Sequence, residues 1–137
     1  MHLRDLQAQG PAQGYYPEPT KSILVMAPGN VARAEENFRG LGIRVVLGQR
    51  YLGGFIGDTE AEREWLREKL QGWTESVNVL VGVAHKHPQS AYAGLKKSLQ
   101  QEWAFVQRVT PVVGEAFSPV EEALRDIFVP ALFRGLN

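Results

Sequence analysis

The chain has 137 residues, 15 lysines and arginines against 15 aspartates and glutamates, and no cysteine. This length is typical of a single domain that can bury a sizeable core. The missing cysteines exclude a disulfide scaffold, a thiol nucleophile and a cysteine zinc site. A formal net charge of zero excludes a global attraction to nucleic acid or to an anionic membrane, while a local basic patch is compatible with it.

No part of the sequence has the character of a membrane span or an export signal. The apolar runs are shorter than a transmembrane helix, and residues 1–10 carry charges and glutamines. We therefore expect an intracellular protein, cytoplasmic or nuclear, with no membrane as a partner.

Residues 1–58 predict an α+β segment. A short helix over residues 2–9 should end at Gly10-Pro11, because proline cannot continue the hydrogen-bond ladder of a helix. The apolar run 22–27 lies between prolines and predicts a buried strand. Residues 31–41 then predict a helix with one apolar face that packs on the sheet.

Two further strands are predicted at residues 43–47 and 51–56, with Gly48-Gln49 as the hairpin turn between them. Strands joined by so short a turn pair antiparallel. The predicted fold of this segment is therefore a small, mostly antiparallel sheet of three strands with one packed helix.

Residues 59–137 predict a helical lobe. Residues 59–62, Thr-Glu-Ala-Glu, form a capping box that begins a long amphipathic helix. Pro88 begins a second helix as a first-turn proline. Residues 118–121 are another capping box, and Pro130 should kink or end the last helix. The fold class is thus α+β, with residues 1–58 and 59–137 as its two domains.

Acidic and histidine side chains predict no metal site. The glutamates of residues 60–68 alternate with basic residues at three- to five-residue spacing, which is typical of ion pairs along a solvated helix face. His85 and His87 stand two residues apart, so a helix would turn their rings to different sides. No cysteine or nearby acid completes a ligand set for either ring.

Three groups of residues suggest a nucleic-acid ligand, each beside a plainer interpretation. Lys21 directly precedes the first predicted strand. A lysine there could neutralise a phosphate or give up a proton. The plainer interpretation is a lysine that prevents aggregation at a strand edge. Gly53 and Gly54 permit close approach of the backbone to a ligand strand, or they form a bend. The basic residues of the long helices either follow a phosphate backbone or form a solvated face; they are Lys86, Lys96, Lys97 and Arg108.

Two segments resemble motifs of reverse transcriptases of the non-LTR retrotransposon kind. Residues 14–22, Gly-Tyr-Tyr-Pro-Glu-Pro-Thr-Lys-Ser, followed by an apolar strand, resemble the lysine-bearing segment that follows the catalytic aspartates of that family. Residues 50–57, Arg-Tyr-Leu-Gly-Gly-Phe-Ile-Gly, resemble its primer grip. The helical remainder, with residues 87–94 and 101–106, is similar to the region after the primer grip in such reading frames. The resemblance therefore covers nearly the whole chain.

The resemblance implies roles for the residues at matching positions. Lys21 corresponds to the lysine that assists pyrophosphate departure, so it is the candidate catalytic residue. Tyr51, Leu52 and Gly53 correspond to the primer grip, where Gly53 and Gly54 would let the primer backbone approach. The later helices correspond to a thumb that packs on the duplex.

The sequence departs from the family at the metal-binding carboxylates. Its aspartates are Asp5, Asp58 and Asp126, whereas the family's palm binds two Mg²⁺ ions through an aspartate pair and an earlier aspartate. Two-metal catalysis needs those carboxylates, so we expect no cofactor in this chain and no polymerisation by it alone. Its status as an enzyme therefore stays open.

Two functions are compatible with these observations. In the first, the chain is the end of a reverse-transcriptase palm plus its thumb. It would bind an RNA–DNA or DNA duplex weakly and associate with the upstream palm and fingers segment of the parent protein. In the second, the chain is a stand-alone small α+β module with an interaction or structural role and no nucleic-acid ligand.

Overall fold

The structure, a computed structural model, describes residues 3–110 and 114–134. It is 70% helical and 11% strand, with two small sheets. This composition confirms the predicted α+β class.

The first two strands form a parallel pair around a helix. Strand β1 (Ile23–Val25) pairs with β2 (Arg44–Val46), with Leu24 opposite Val45. Helix α2 (Val31–Asn37) connects the two strands and packs against β2. A crossover through a helix lets consecutive strands run parallel, so this pair differs from the mostly antiparallel sheet that the sequence predicts.

The segment before β1 follows the sequence prediction closely. Helix α1 (Leu3–Gln9) ends before Gly10, whose amide donates to the carbonyl of Leu6. Two short 3-10 turns come next, at Pro11–Gln13 and Pro19–Lys21. Proline opens both turns, because its fixed φ suits the first position and its missing N–H is not needed there.

The remaining strands form a separate antiparallel hairpin, β3 (Gly48–Tyr51) and β4 (Gly54–Gly57). Its turn is Leu52-Gly53, with φ angles of 48° and 83°. Positive φ at both central residues is the requirement of a type I′ turn, the turn that matches the twist of a hairpin. The prediction of a turn at Gly48-Gln49 is therefore wrong, and the predicted strand 51–56 contains the turn. The three predicted strands also belong to two separate sheets.

Seven helices lie in the described residues, and five of them come after the hairpin. In chain order these five are α3 (Thr59–Ala84), α4 (Pro88–Gly94), α5 (Gln100–Val109), α6 (Ser118–Glu122) and α7 (Val129–Phe133). The first residues of α3, α4 and α6 agree with the predicted capping boxes at residues 59–62 and 118–121 and the predicted first-turn proline at Pro88.

Two π-helical turns join consecutive helices into longer helical paths. Leu95–Leu99 joins α4 to α5, and Ala123–Phe128 joins α6 to α7. The second turn lies just before Pro130, which has no N–H and whose ring crowds the carbonyl four residues earlier. Widening that turn accommodates the proline, so Pro130 does not end the helix, which continues to Phe133.

The hydrophobic core lies among these helices. Trp73, Val77 and Phe128 are almost completely buried at its centre. Trp73 packs against the rings of Trp103 and Phe117, with centroids 6.2 and 5.6 Å away. Its indole Nε1 donates a hydrogen bond of 2.7 Å to Oε2 of Glu102, which ties α3 to α5.

The chain divides into two compact units. One comprises the described residues up to Gln49 together with Ile56–Asp58. The other comprises Arg50–Phe55 and the described residues from Thr59 onward. The tip of the hairpin thus belongs with the helices, and we call these the strand unit and the helical unit.

Candidate nucleic-acid interface

Lys21, the candidate catalytic residue, lies in the strand unit at the end of a 3-10 turn. Its side chain is 78% exposed, and its Nζ lies 2.6 Å from Oε2 of Glu18. An exposed ion pair between neighbouring residues stabilises the fold by little. This local environment is that of an ordinary lysine flanking a strand.

The hairpin glycines lie close to side chains of α5 inside the helical unit. A Cβ atom at Gly53 would lie 3.2 Å from Cε1 of Phe105, and one at Gly54 would lie 3.1 Å from Cγ2 of Val109. Gly53 also has a positive φ, which most residues with a side chain avoid. Gly53 lies in the turn itself, in agreement with the bend of the plainer interpretation, and both glycines lie close to α5.

The side chains at the hairpin tip point into solvent. Tyr51 is 61% exposed and Leu52 is 80% exposed. Phe105 and Val109, which contact the two glycines, are themselves partly exposed. We call these four exposed apolar side chains, at the turn and on the part of α5 that the turn meets, the hairpin-tip patch: Tyr51, Leu52, Phe105 and Val109.

Four predicted cations lie on, or just before, the helical path formed by α4, the first π turn and α5. Lys86 is in the turn after α3, Lys96 and Lys97 are in the first π turn, and Arg108 is near the end of α5. All four are exposed. Lys97 and Arg108 are eleven residues apart in sequence, or about 16 Å at the helical rise, so the cations form a line rather than one cluster.

These cations have no ion-pair partner within residues 3–110 and 114–134. The Arg108 Nε donates to the carbonyl of Ala104 and is joined to no carboxylate. The only acid on residues 86–109 is Glu102, and it accepts the hydrogen bond from Trp73. The path therefore carries four basic side chains that no neighbouring acid neutralises.

Basic residues on α3 have the opposite character. The distance from Nη1 of Arg63 to Oε1 of Glu60 is 2.8 Å, and that from Nη2 of Arg67 to Oε1 of Glu64 is 2.6 Å. In each pair the two residues are three positions apart in sequence. The hydrogen bond that Arg67 donates to the Glu64 carboxylate raises the pKa of Arg67. These pairs bear out the predicted ion-paired face of this helix.

The structure brings together only some of the predicted site residues. Arg108 directly precedes Val109, the residue that a Cβ at Gly54 would meet. Lys96 and Lys97 lie about three helical turns before Arg108 on the same helical path. Lys21 belongs to the strand unit.

Sequence reasoning missed Phe105 and Val109. Their four-residue spacing in an amphipathic helix is a signal of a shared face. Their neighbours Trp103 and Val106 occupy the buried positions of that helix, so Phe105 and Val109 are left at the edge where the hairpin arrives.

A cavity of about 960 Å³ lies elsewhere in the helical unit, between α3 and the start of α6. Its walls include Arg63 and Arg67, both paired with glutamates. None of the predicted nucleic-acid-binding residues lines it.

The described part of the chain contains no group of three or more His, Asp or Glu side chains placed to hold a metal ion. In the same residues, no helix combines the length and the apolar character needed to cross a membrane.

Comparison with protein-family models, with curated proteins and with solved structures produced no match.

Proposed function

We propose that this chain binds a nucleic-acid duplex through the line of cations on residues 86–108, as a thumb-like part of a reverse-transcriptase-like protein. The observation that carries the proposal is the contrast between two helices. Arg63 and Arg67 of α3 are neutralised by glutamates one turn away, whereas Lys86, Lys96 and Lys97 have no such partner in the described chain.

A duplex is the ligand that suits this arrangement. Lys96 and Arg108 are separated by about 18 Å at the helical rise, and a duplex carries phosphates along the whole of such a length. Because the whole chain has zero net charge, attraction comes only from this local line, and binding should be weak and sensitive to salt.

The role is one of binding, with catalysis supplied elsewhere. The sequence has no adjacent aspartates, and the two Mg²⁺ ions of the family need such carboxylates. Lys21 would assist pyrophosphate departure only beside an active site that a further segment provides.

The low burial of the strand unit favours a partner segment that covers it. Among its described residues only Gly10 and Ala34 are buried, and all three side chains of β1 are half-buried. Parallel strands are normally covered on both faces, and two-stranded sheets have little independent stability. We infer that an upstream palm and fingers segment covers this unit, in a cytoplasmic or nuclear protein.

Hydrogen exchange tests the partner segment. In the chain alone, the amides of β1 should exchange far faster than those of α3, because few apolar contacts protect them. Protection of β1 equal to that of α3 would mean that the strand unit needs no covering partner.

Fluorescence anisotropy with a labelled RNA–DNA duplex at low salt tests the binding function. The double variant Lys96→Gln, Lys97→Gln should bind about tenfold more weakly than the unaltered chain. The matched control is Arg63→Gln, Arg67→Gln, which removes the same charge from α3 and should change the affinity by less than about twofold. Equal losses in both variants, or no association at all, would overturn the proposal.

The alternative function, a stand-alone interaction module, is favoured by one observation. The hairpin-tip patch exposes four large apolar side chains at one place, and such patches mark protein–protein contacts more often than phosphate contacts.

A further inference from the structure

We propose that a cavity between α4 and α7 binds a small organic anion with an aromatic body. The cavity has a volume of about 590 Å³, and every described residue that lines it belongs to the helical unit. We call it the α4–α7 cavity. The four cations of the proposed duplex interface are not among its lining residues, so the inference is independent of duplex binding.

The walls of the α4–α7 cavity suit a flat apolar ligand. Ala84 and Ala131 line it and are 3% and 4% exposed, so they form its floor. Tyr92 and Phe133 line it as well, although they are 52% and 56% exposed. Two exposed aromatic residues beside a floor of small ones leave a concave apolar surface in water. An aromatic ring would cover that surface and gain ring contacts with both residues.

The charged side chains at the cavity are basic. His85 and Arg134 line it, and the described lining residues include no aspartate or glutamate. Arg134 has no carboxylate partner within residues 3–110 and 114–134. A cleft with charges of one sign concentrates the field inside it, and a guanidinium group matches the shape of a carboxylate or phosphate. The cavity therefore favours a ligand with an anionic group.

The sequence keeps acids away from this end of the helical unit. The residues that line the cavity come from two stretches, 76–101 and 127–137, and neither stretch contains an aspartate or a glutamate. The acid that directly precedes the second stretch is Asp126, and its Oδ1 lies 2.8 Å from Nε of Arg125. The basic character of the cavity therefore does not depend on the exact placement of one side chain.

The test is a titration of the full ¹⁵N-labelled chain with three probes that share one aromatic body. They are 2-naphthoate, the neutral 2-naphthamide and the cationic 2-naphthylmethylammonium. The naphthoate should shift the amides of Ala84, Tyr92 and Ala131, and it should bind at least about fivefold more tightly than either of the other probes.

Variants assign the two parts of the contact. Arg134→Gln should remove most of the preference for naphthoate over naphthamide. The matched control Arg125→Gln makes the same change at an arginine that Asp126 already neutralises, and it should leave the preference unchanged. Phe133→Leu keeps an apolar side chain but removes the ring, so it should weaken binding of all three probes by about threefold.

Several results would overturn the inference. These are equal affinity for naphthoate and naphthamide, no shift of the three amides with millimolar naphthoate, a preference that survives Arg134→Gln, or indifference to Phe133→Leu. Loss of naphthoate binding in the variant Lys96→Gln, Lys97→Gln would assign the anion to the line of cations instead of the cavity.

Discussion

Leu52 is a branched, apolar residue held where asparagine or glycine is normally found. It has a φ of 48° at the first central position of the turn and is 80% exposed. A left-handed conformation costs such a residue roughly 1–2 kcal/mol. Leu52→Asn should therefore raise the free energy of unfolding by about 0.5–1 kcal/mol, seen as a higher urea midpoint. A lower midpoint would mean that the Leu52 side chain makes contacts that outweigh the strain.

Two glycines of the helical unit should respond to alanine in opposite directions. Gly53→Ala adds a Cβ at a φ of 83° and 3.2 Å from Phe105, so it should lower the free energy of unfolding by about 1–2 kcal/mol. Gly72 lies inside α3 with nothing within 4 Å of a Cβ, so Gly72→Ala should raise it by about 0.5–1 kcal/mol. Urea unfolding measures both, and the same sign for both variants would refute the tight seating of the hairpin.

The difference between these residues shows what the sequence can predict. Helix boundaries at Thr59 and Pro88 come from local chemistry, and the structure confirms them. The turn at Leu52 was missed because Gly48-Gln49 has the more turn-like residues. The contact of Gly53 with Phe105 joins residues far apart in sequence, and no local pattern encodes it.

Among elements, a ring contact with Trp103 and a partly buried hydrogen bond to Glu102 join Trp73 of α3 to α5. Trp73 Nε1 donates to Glu102 at 2.7 Å, and Trp73 is 4% exposed. Glu102→Ala leaves that N–H without an acceptor and should lower the free energy of unfolding by about 1–3 kcal/mol. Glu102→Gln retains an acceptor oxygen and should cost less. Equal urea midpoints for the two variants would mean that the hydrogen bond contributes nothing.

The ion pairs of α3 could be predicted from the sequence, whereas the charge environment of Lys96 and Lys97 could not. The partners of Arg63 and Arg67 lie one turn away, so spacing alone indicated them. The lack of partners for Lys96 and Lys97 depends on which helices pack nearby. From the sequence alone, the face that carries Lys96 and Lys97 could be interpreted equally well as a phosphate-binding face or as a solvated face.

At the scale of the whole molecule, the placement of aspartates along the sequence determines the activity that we expect. With no adjacent aspartates in the sequence, the purified chain should show no primer extension above background with Mg²⁺ or Mn²⁺. Extension that disappears when one of its own acids is substituted would show that another carboxylate arrangement supports polymerisation.

The salt dependence of duplex binding tests the central claim most directly. If two or three phosphates are neutralised, a plot of log affinity against log salt should have a slope of about −2 to −3. Lys96→Gln, Lys97→Gln should bring that slope about one to two units closer to zero, while Arg63→Gln, Arg67→Gln should leave it unchanged because glutamates already neutralise both arginines. A slope that ignores the two lysines, or that changes equally in both variants, would contradict duplex binding by the cations of residues 86–108.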